Sequence, residues 1–223
     1  NTMKFIVHSR LQGIQVVEAS IYLWYHNTKI VVSDIDGTIT KSDILGNIMP
    51  LVGKDWSHKG VCQLYNAIHD NGYQMLYLTA RAIGQANVTR SYINSLKQHD
   101  LMLPQGPILM SPNRLAKSFK REVIDRTPHE FKILCLRDVR LLFANIDPYT
   151  MKIPSPLPNP FYAGFGNRSS DVISYRNVGV PESRIFIINA QSEIVHSSNL
   201  QHQSSYPQLY DIVNQMFPSH DSK

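Results

Sequence analysis

Residues 31–43 read VVSDIDGTITKSD. A β-branched run ends in two carboxylates one residue apart, followed at once by glycine and threonine. Val, Ile and their kind favour strands. The lack of alternation from Lys29 to Ser33 predicts a strand buried on both faces, as in a parallel sheet. Side chains two positions apart on a strand point the same way, so Asp34 and Asp36 repel each other there. A bound cation is the usual way to offset such repulsion. Ligands of open parallel sheets sit beyond the carboxyl ends of the strands, and Asp34 falls at that end. Gly37 lets the backbone bend sharply and Thr38 offers a hydroxyl. The set suits phosphoryl transfer, with one carboxylate attacking phosphorus, the second handling the proton and Mg²⁺ screening the charge. A plain Asp-Gly turn is the bland alternative. An EF-hand loop is excluded, because Ile39 and Leu45 stand where Gly and Glu are needed. A P-loop is excluded because no GxxxxGK[ST] occurs.

Outward from this stretch, strands and helices alternate. Val61, Leu64, Tyr65 and Ile68 recur at helical spacing, with Asn71-Gly72 as C-cap. Gln74 to Leu78 reads as the next strand, Ile83 to Lys97 as a helix, Pro104 to Pro107 as a turn and Ile108 to Met110 as a short strand. Asn113 can cap a helix to about Arg126, and Pro128 starts another reaching Phe143. Asn145 to Pro160 carries five prolines and reads as an exposed loop. Phe161 to Phe165 and Arg184 to Ile188 are strands around a helix from Ser170 to Val178. Ser204 to Phe217 is a last amphipathic helix. This alternation argues for an α/β fold, a parallel sheet with helices on both faces, over residues 29–223. Residues 1–28 form a small β-rich segment. Its expected strands are Met3 to Val7, Ile14 to Glu18 and Ser20 to Tyr25, with His26-Asn27-Thr28 as a hairpin turn.

With 223 residues, 43% hydrophobic and 17% charged, the chain is globular rather than disordered. A formal net charge of +5 fits several anionic partners and chooses none. Cys62 and Cys135 are too few for a disulfide framework and lack metal-like spacing, so two buried thiols in a reducing compartment are expected. On that expectation the sequons at Asn87 and Asn167 are chance. No run reaches membrane-spanning length.

DIDGT after an apolar strand resembles the nucleophile motif of the haloacid dehalogenase superfamily. The longer string DIDGTITKSDILG, with GKDW at Gly53 to Trp56, resembles the lipin-type phosphatidate phosphatases in particular. So do YLTARAIGQANVTRSYI from Tyr77, LPQGPILMSP from Leu103, KREVI from Lys120, FYAGFGNRSSDVISY from Phe161 and RIFIIN from Arg184. The resemblance runs from about Ser20 to Phe217.

It implies a Rossmann-like sheet of the haloacid dehalogenase type without a large cap. Asp34 is the expected nucleophile and Asp36 the acid and base. Thr79 resembles the second motif, a hydroxyl on the transferred phosphoryl, with a helix N-cap as the bland alternative. Lys132 in HEFKI resembles the cationic third motif, with Lys117, Lys120 and Arg121 as competitors. Asn167 and Asp171 resemble the fourth motif, although Asp171 could equally cap the following helix. The resemblance places Mg²⁺ on Asp34, Asp36, Asn167 and Asp171, and puts Gly37, Thr38 and Arg81 on the substrate side.

The implied reaction hydrolyses phosphatidate, met at a membrane surface, to diacylglycerol and phosphate through an aspartyl-phosphate. Two alternatives stay open: a non-catalytic module that senses phosphatidate, and a phosphatase for soluble phosphomonoesters. The resemblance also implies an N-terminal lipin segment outside this chain. The β-rich start would then be half of an immunoglobulin-like sandwich. The expected location is the cytoplasm, peripheral to the endoplasmic reticulum or nuclear membrane, with the nucleus as a further one. A basic helical face of Arg114, Lys117 and Arg121 suits anionic headgroups. No nucleic-acid partner is expected.

Overall fold

The computed structural model describes residues 1–41, 56–111, 128–144, 156–196 and 199–220. At its centre lies β3 (Ile30–Asp34), every residue of which is buried. Two parallel neighbours flank it, β4 (Gln74–Ala82) on one side and β8 (Phe161–Gly166) on the other. β7 (Ile108–Ser111) and β9 (Ile185–Ile188) extend the parallel run outwards. Two antiparallel strands, β10 (Ile194–His196) and β11 (Asn199–Ser204), finish one edge. The order is β11-β10-β9-β8-β3-β4-β7. The chain therefore leaves β3 towards β4 and β7, then returns to β8 on the opposite side. That reversal opens a crevice beyond the carboxyl ends of β3 and β8, where ligands of such sheets bind.

Strand periodicity sorts the core into two layers. Val31, Met75, Tyr77, Ala163 and Phe165 pack under α1 (Val61–Asp70) and the C-terminal pair α5 (Tyr206–Asp211) and α6 (Val213–Met216). Ile30, Val32, Leu76 and Leu78 point the other way, under α3 (Pro128–Leu141) and α4 (Ser169–Asn177). Each fully buried Val, Ile or Leu contributes about 1.5–3 kcal/mol. A one-residue slip would turn every one of them to the wrong face. The two layers thus fix the register of β3, and with it the point where Asp34 emerges.

α1 buries Val61, Leu64, Tyr65 and Ile68, as their spacing predicts, and ends on Asn71 with Gly72 at φ 93°. Several expectations change. β4 runs on to Ala82 because it stays paired with β7 through a register shift after Thr79. Thr79 therefore lies inside a strand and caps no helix. The expected helix from Ile83 opens as a 3₁₀ turn, becomes α2 (Ala86–Ser95) and stops before Lys97. Lys97–Gln98 (β5) pairs instead with Leu101–Met102 (β6). The last helix is two short ones, broken at Ile212 (φ −112°), yet Tyr206, Leu209, Val213 and Phe217 still share one buried face. The β10–β11 edge was not expected; the β9–β10 turn that leads into it closes through Asn189 N–H to the Glu193 carbonyl at 2.9 Å.

At the N-terminus, β1 (Thr2–Ser9) and β2 (Gly13–Ser20) form a separate antiparallel ladder. Phe5, Ile6, Val7, Ile14, Val16 and Val17 are exposed on both of its faces. Ser20 to Tyr25 is not a third strand. Side chains tie it down instead: the Tyr22 hydroxyl donates to the Gly106 carbonyl at 3.0 Å, and Trp24 stacks on Phe143. The turn at 26–28 is present, with Thr28 N–H on the Tyr25 carbonyl, but joins no strands. Both cysteines are free; Cys62 is buried while Cys135 is only half-buried. The expected helix from Asn113 to Arg126, its basic face, the GKDW and KREVI strings up to Asp55 and Ile124, and the proline-rich loop up to residue 155 lie outside the described residues. Among those described, no helix is long and apolar enough to cross a membrane.

Candidate active site

The end of β3 turns at once. Ile39 N–H donates to the Ile35 carbonyl at 3.0 Å, and Gly37 sits at φ 82°. A Cβ there would be strained, so the glycine of DxDGT is a backbone requirement. Asp34, 4% exposed, is directed into the protein, whereas Asp36 is half-buried. The turn sends the two carboxylates to different partners.

Asp34 belongs to the deeper group. Its Oδ1 accepts from Lys132 Nζ at 2.5 Å, and its Oδ2 accepts from the Thr38 hydroxyl at 3.3 Å. Lys132 reaches in from α3 and also donates to Asp171 Oδ1 at 2.6 Å. The other Asp171 oxygen accepts the backbone N–H groups of Asn167 and Arg168, both at 3.0 Å. Asp171 thus caps the start of α4 and holds the lysine at once, the two roles that its position allowed. Two buried carboxylates share one ammonium, so with both ionised the cluster is one negative charge in excess. Burial pushes the Asp34 carboxyl up to about 7; Lys132 works against that rise, and Asp171 and Asp36 add to it. For Lys132, burial disfavours the charge, but the two carboxylates win and hold its pKa above the ordinary lysine value.

Asp36 belongs to the outer group. The Arg81 guanidinium grips it, with Nη2 at 2.5 Å and Nε at 3.0 Å from Oδ1. The Thr79 hydroxyl donates to its Oδ2 at 2.8 Å, and the Arg81 N–H donates to that same hydroxyl oxygen. Both partners come from the end of β4, where the register shift turns the strand towards the crevice. Asn167 stands half-buried just past β8, linked through its backbone to Asp171. All nine residues singled out by the sequence therefore meet at one carboxyl edge, wired as two adjoining groups. Lys117, Lys120 and Arg121 lie outside the described residues.

The structure adds a scaffold that the sequence did not announce. His58, fully buried, sits between Gly37 and Ser192, with Nε2 at 3.3 Å from the Gly37 carbonyl and Nδ1 at 2.8 Å from the Ser192 hydroxyl. A carbonyl only accepts, so Nε2 carries the proton and Nδ1 accepts from Ser192. Burial lowers the His58 pKa, which keeps it neutral. The Tyr206 hydroxyl donates to the Thr38 carbonyl at 2.9 Å. Gly166 brings β8 against α4 so closely that a Cβ would stand 2.4 Å from the Asp171 Cβ. A polar residue just before a helix was the only signal for His58, and such residues usually face water.

Comparison with known proteins follows the same residues. The LNS2 (Lipin/Ned1/Smp2) family profile matches residues 1–218. The chain is 50% identical over 218 residues to a protein of Arabidopsis thaliana named phosphatidate phosphatase PAH1, covering 98% of this chain and 23% of the relative. It is 45% identical over 218 residues to Homo sapiens phosphatidate phosphatase LPIN2, with 98% and 23% covered. It is 46% identical over 221 residues to phosphatidic acid phosphohydrolase 1 of Saccharomyces cerevisiae, with 98% and 25% covered. The chain thus spans about a quarter of the length of these relatives. With the family profile matched from the first residue to the 218th, this chain belongs to the LNS2 (Lipin/Ned1/Smp2) family.

Proposed function

We propose that the protein is a Mg²⁺-dependent phosphatidate phosphatase of the haloacid dehalogenase type, which releases diacylglycerol and phosphate through an aspartyl-phosphate. The observation that carries this reading is Asp34, a buried carboxylate at the crevice with Lys132 on one oxygen and only a 3.3 Å hydroxyl contact on the other. The names of the relatives supply the substrate.

Once Arg81 has left it, Asp36 takes up a proton from solvent; Asp34 Oδ2 then forms the bond to phosphorus as the bond to the glycerol oxygen breaks, and that proton goes to the glycerol oxygen. Asp36 then takes a proton from water, whose oxygen attacks phosphorus and releases Asp34. Lys132 and the Thr38 hydroxyl keep Asp34 aimed, so little geometry is left to find. Arg81 and Thr79 hold Asp36 in the resting protein. On substrate binding, Arg81 passes to the phosphate, which frees Asp36 for proton transfer and places a fixed cation on the charge of the transition state.

A divalent cation fits these residues. The buried cluster carries an uncompensated negative charge, and its donors are oxygens, which suit Mg²⁺. Among the described residues no three His, Cys, Asp or Glu side chains stand together as a metal cluster. Asp34, with the Asp36 carbonyl and the Asn167 amide, would hold the cation. Asp171, with both oxygens engaged, orients that set. When bound, the cation supplies charge neutralisation between Asp34 and the phosphate.

The hairpin β1–β2 has Met3, Phe5, Val7, Val17 and Ala19 on one face and the Lys4–Glu18 ion pair on the other; its apolar face makes it one layer of an immunoglobulin-like sandwich completed by polypeptide outside this chain. The site works at an intracellular membrane such as the endoplasmic reticulum or nuclear envelope. The test is phosphate release from phosphatidate in mixed micelles with and without Mg²⁺, against a water-soluble phosphomonoester, for wild type and Asp34→Asn. Turnover of phosphatidate that needs both Mg²⁺ and Asp34 is expected. Equal rates on the soluble ester, or full activity of Asp34→Asn, would overturn the proposal.

A further inference from the structure

The carboxyl edge of the sheet carries a feature that the chemistry does not use. Ile83 is 53% exposed and Val88 63% exposed, and Gly84 and Asn87 beside them are exposed too. Ile83 lies two residues beyond Arg81, whose guanidinium grips Asp36. The 3₁₀ turn it opens leads into α2, which buries Thr89 and Ile93 on its inner face and turns Val88 outward. Across the nucleophile turn stands Trp56, 38% exposed, its carbonyl accepting the Lys41 N–H at 2.7 Å. Exposed apolar side chains thus follow both β3 and β4 at this edge, where water alone would favour polar ones.

Cations stand on the described loops near these side chains. Lys41, Lys59 and Arg168 are exposed on the loops of this edge. The acids on the described parts of those loops are Asp36, held by Arg81, and Glu193, which accepts from the Asn189 amide at 2.7 Å. Apolar tips set among cations complement an anionic lipid surface: the tips enter the boundary of the hydrocarbon and the cations meet headgroup phosphates. Trp is suited to that boundary.

We propose that Ile83 and Val88, with Trp56 opposite, form a rim that inserts into a phosphatidate-containing bilayer and holds the mouth of the site against it. This rests on the phosphatidate phosphatase reading. A phosphate whose acyl chains stay in the bilayer reaches Asp34 only if the carboxyl edge of the sheet faces the membrane, and these residues line that edge.

The test compares wild type with Ile83→Asp/Val88→Asp on two forms of one substrate: monomeric dioctanoyl phosphatidate, and long-chain phosphatidate in phosphatidylcholine vesicles. Each apolar side chain withdrawn from the bilayer weakens partitioning about tenfold. The expected result is at least that rise in apparent KM on vesicles and weaker pelleting with them. kcat at saturating surface and kcat/KM on the monomer should stay within about twofold of wild type. Unchanged vesicle pelleting overturns the proposal, as does an equal loss on the monomer. A change in self-association without lipid would mark a protein interface and also overturn it. If wild type hydrolyses neither form, the phosphatase reading fails, and vesicle pelleting of the two proteins still decides the rim.

Discussion

Asp34 and Asp171, delivered by the ends of different chain segments 137 positions apart, hold the same ammonium, with Lys132 Nζ at 2.5 Å and 2.6 Å from their oxygens. Removing one partner from a buried charge cluster leaves the others uncompensated, at a cost of about 3–5 kcal/mol. Lys132→Met keeps the volume and removes the charge. Urea denaturation of this variant in chelator should show a loss of that order. Asp171→Asn added to Lys132→Met should recover part of it, a coupling of roughly 1 kcal/mol or more. Additive losses would mean that the three side chains do not act as one cluster.

The same crowding predicts how stability responds to pH. The Asp34 carboxyl is raised to about 7, chiefly by burial, against about 3.9 for an unfolded aspartate. Between those values the folded state holds a proton that the unfolded state has released. This group's contribution therefore falls as pH rises through that window and is lowest above 7. Asp34→Asn removes the ionisation and leaves Lys132 paired with Asp171. In chelator the variant should be more stable than wild type at pH 8, and the gap should close towards pH 5. Added Mg²⁺ should stabilise wild type and spare the variant that gain. A gap independent of pH in thermal melts would sink the assignment.

β3 and its exit were legible because three constraints agree there: a run buried on both faces, a carboxyl-end acid and a glycine forced to φ 82°. α1 was legible from the spacing of its four buried apolar residues. The β10–β11 edge was not, since short strands that pair only with each other carry little periodicity. Nor was the break at Ile212, because the buried face continues across it. Segment 20–25 has strand-like composition, but Trp24 finds Phe143 and Tyr22 finds Gly106 before any partner strand does. Of the nine site residues, Asp34, Asp36, Gly37 and Thr38 could be read from that exit; Thr79, Arg81, Lys132, Asn167 and Asp171 were within reach only through resemblance. Lys132 shows why, for a helical lysine normally faces water, and only the packing of α3 over the end of β3 buries it. The grip of Arg81 on Asp36 depends on a register shift that no local pattern announces.

That grip carries its own prediction. Arg81 meets Asp36 through two nitrogens in a fork that lysine cannot copy. Arg81→Lys should lower kcat/KM on phosphatidate by about tenfold to a hundredfold, because both the aim of Asp36 and the hold on the phosphate change. The pair is largely shielded, with side chains 9% and 20% exposed; lysine keeps the charge but gives up part of the fork, so stability should fall by about 1.5–3 kcal/mol. Steady-state kinetics beside urea denaturation separates the two effects. An unchanged kcat/KM would mean that the pair is only a structural contact.

His58 offers the sharpest separation of position from chemistry, since it touches no reacting group yet holds the Gly37 carbonyl from beneath. Its neutral tautomer joins the turn after β3 to Ser192, which stands at φ 70° between β9 and β10. Loss of the ring removes a donor to a buried carbonyl and leaves a cavity, about 2 kcal/mol or more for His58→Ala. A tilt of the turn moves Asp34 and Thr38 together, so kcat should fall while KM for a soluble phosphomonoester changes little. His58→Asn keeps an amide donor in the space of Nδ1 but cannot reach as far as Nε2. His58→Gln reaches it and should restore most of the lost kcat, whereas His58→Asn should not. Equal recovery by both substitutions, or by neither, would assign His58 to packing alone and detach Ser192 from the turn after β3.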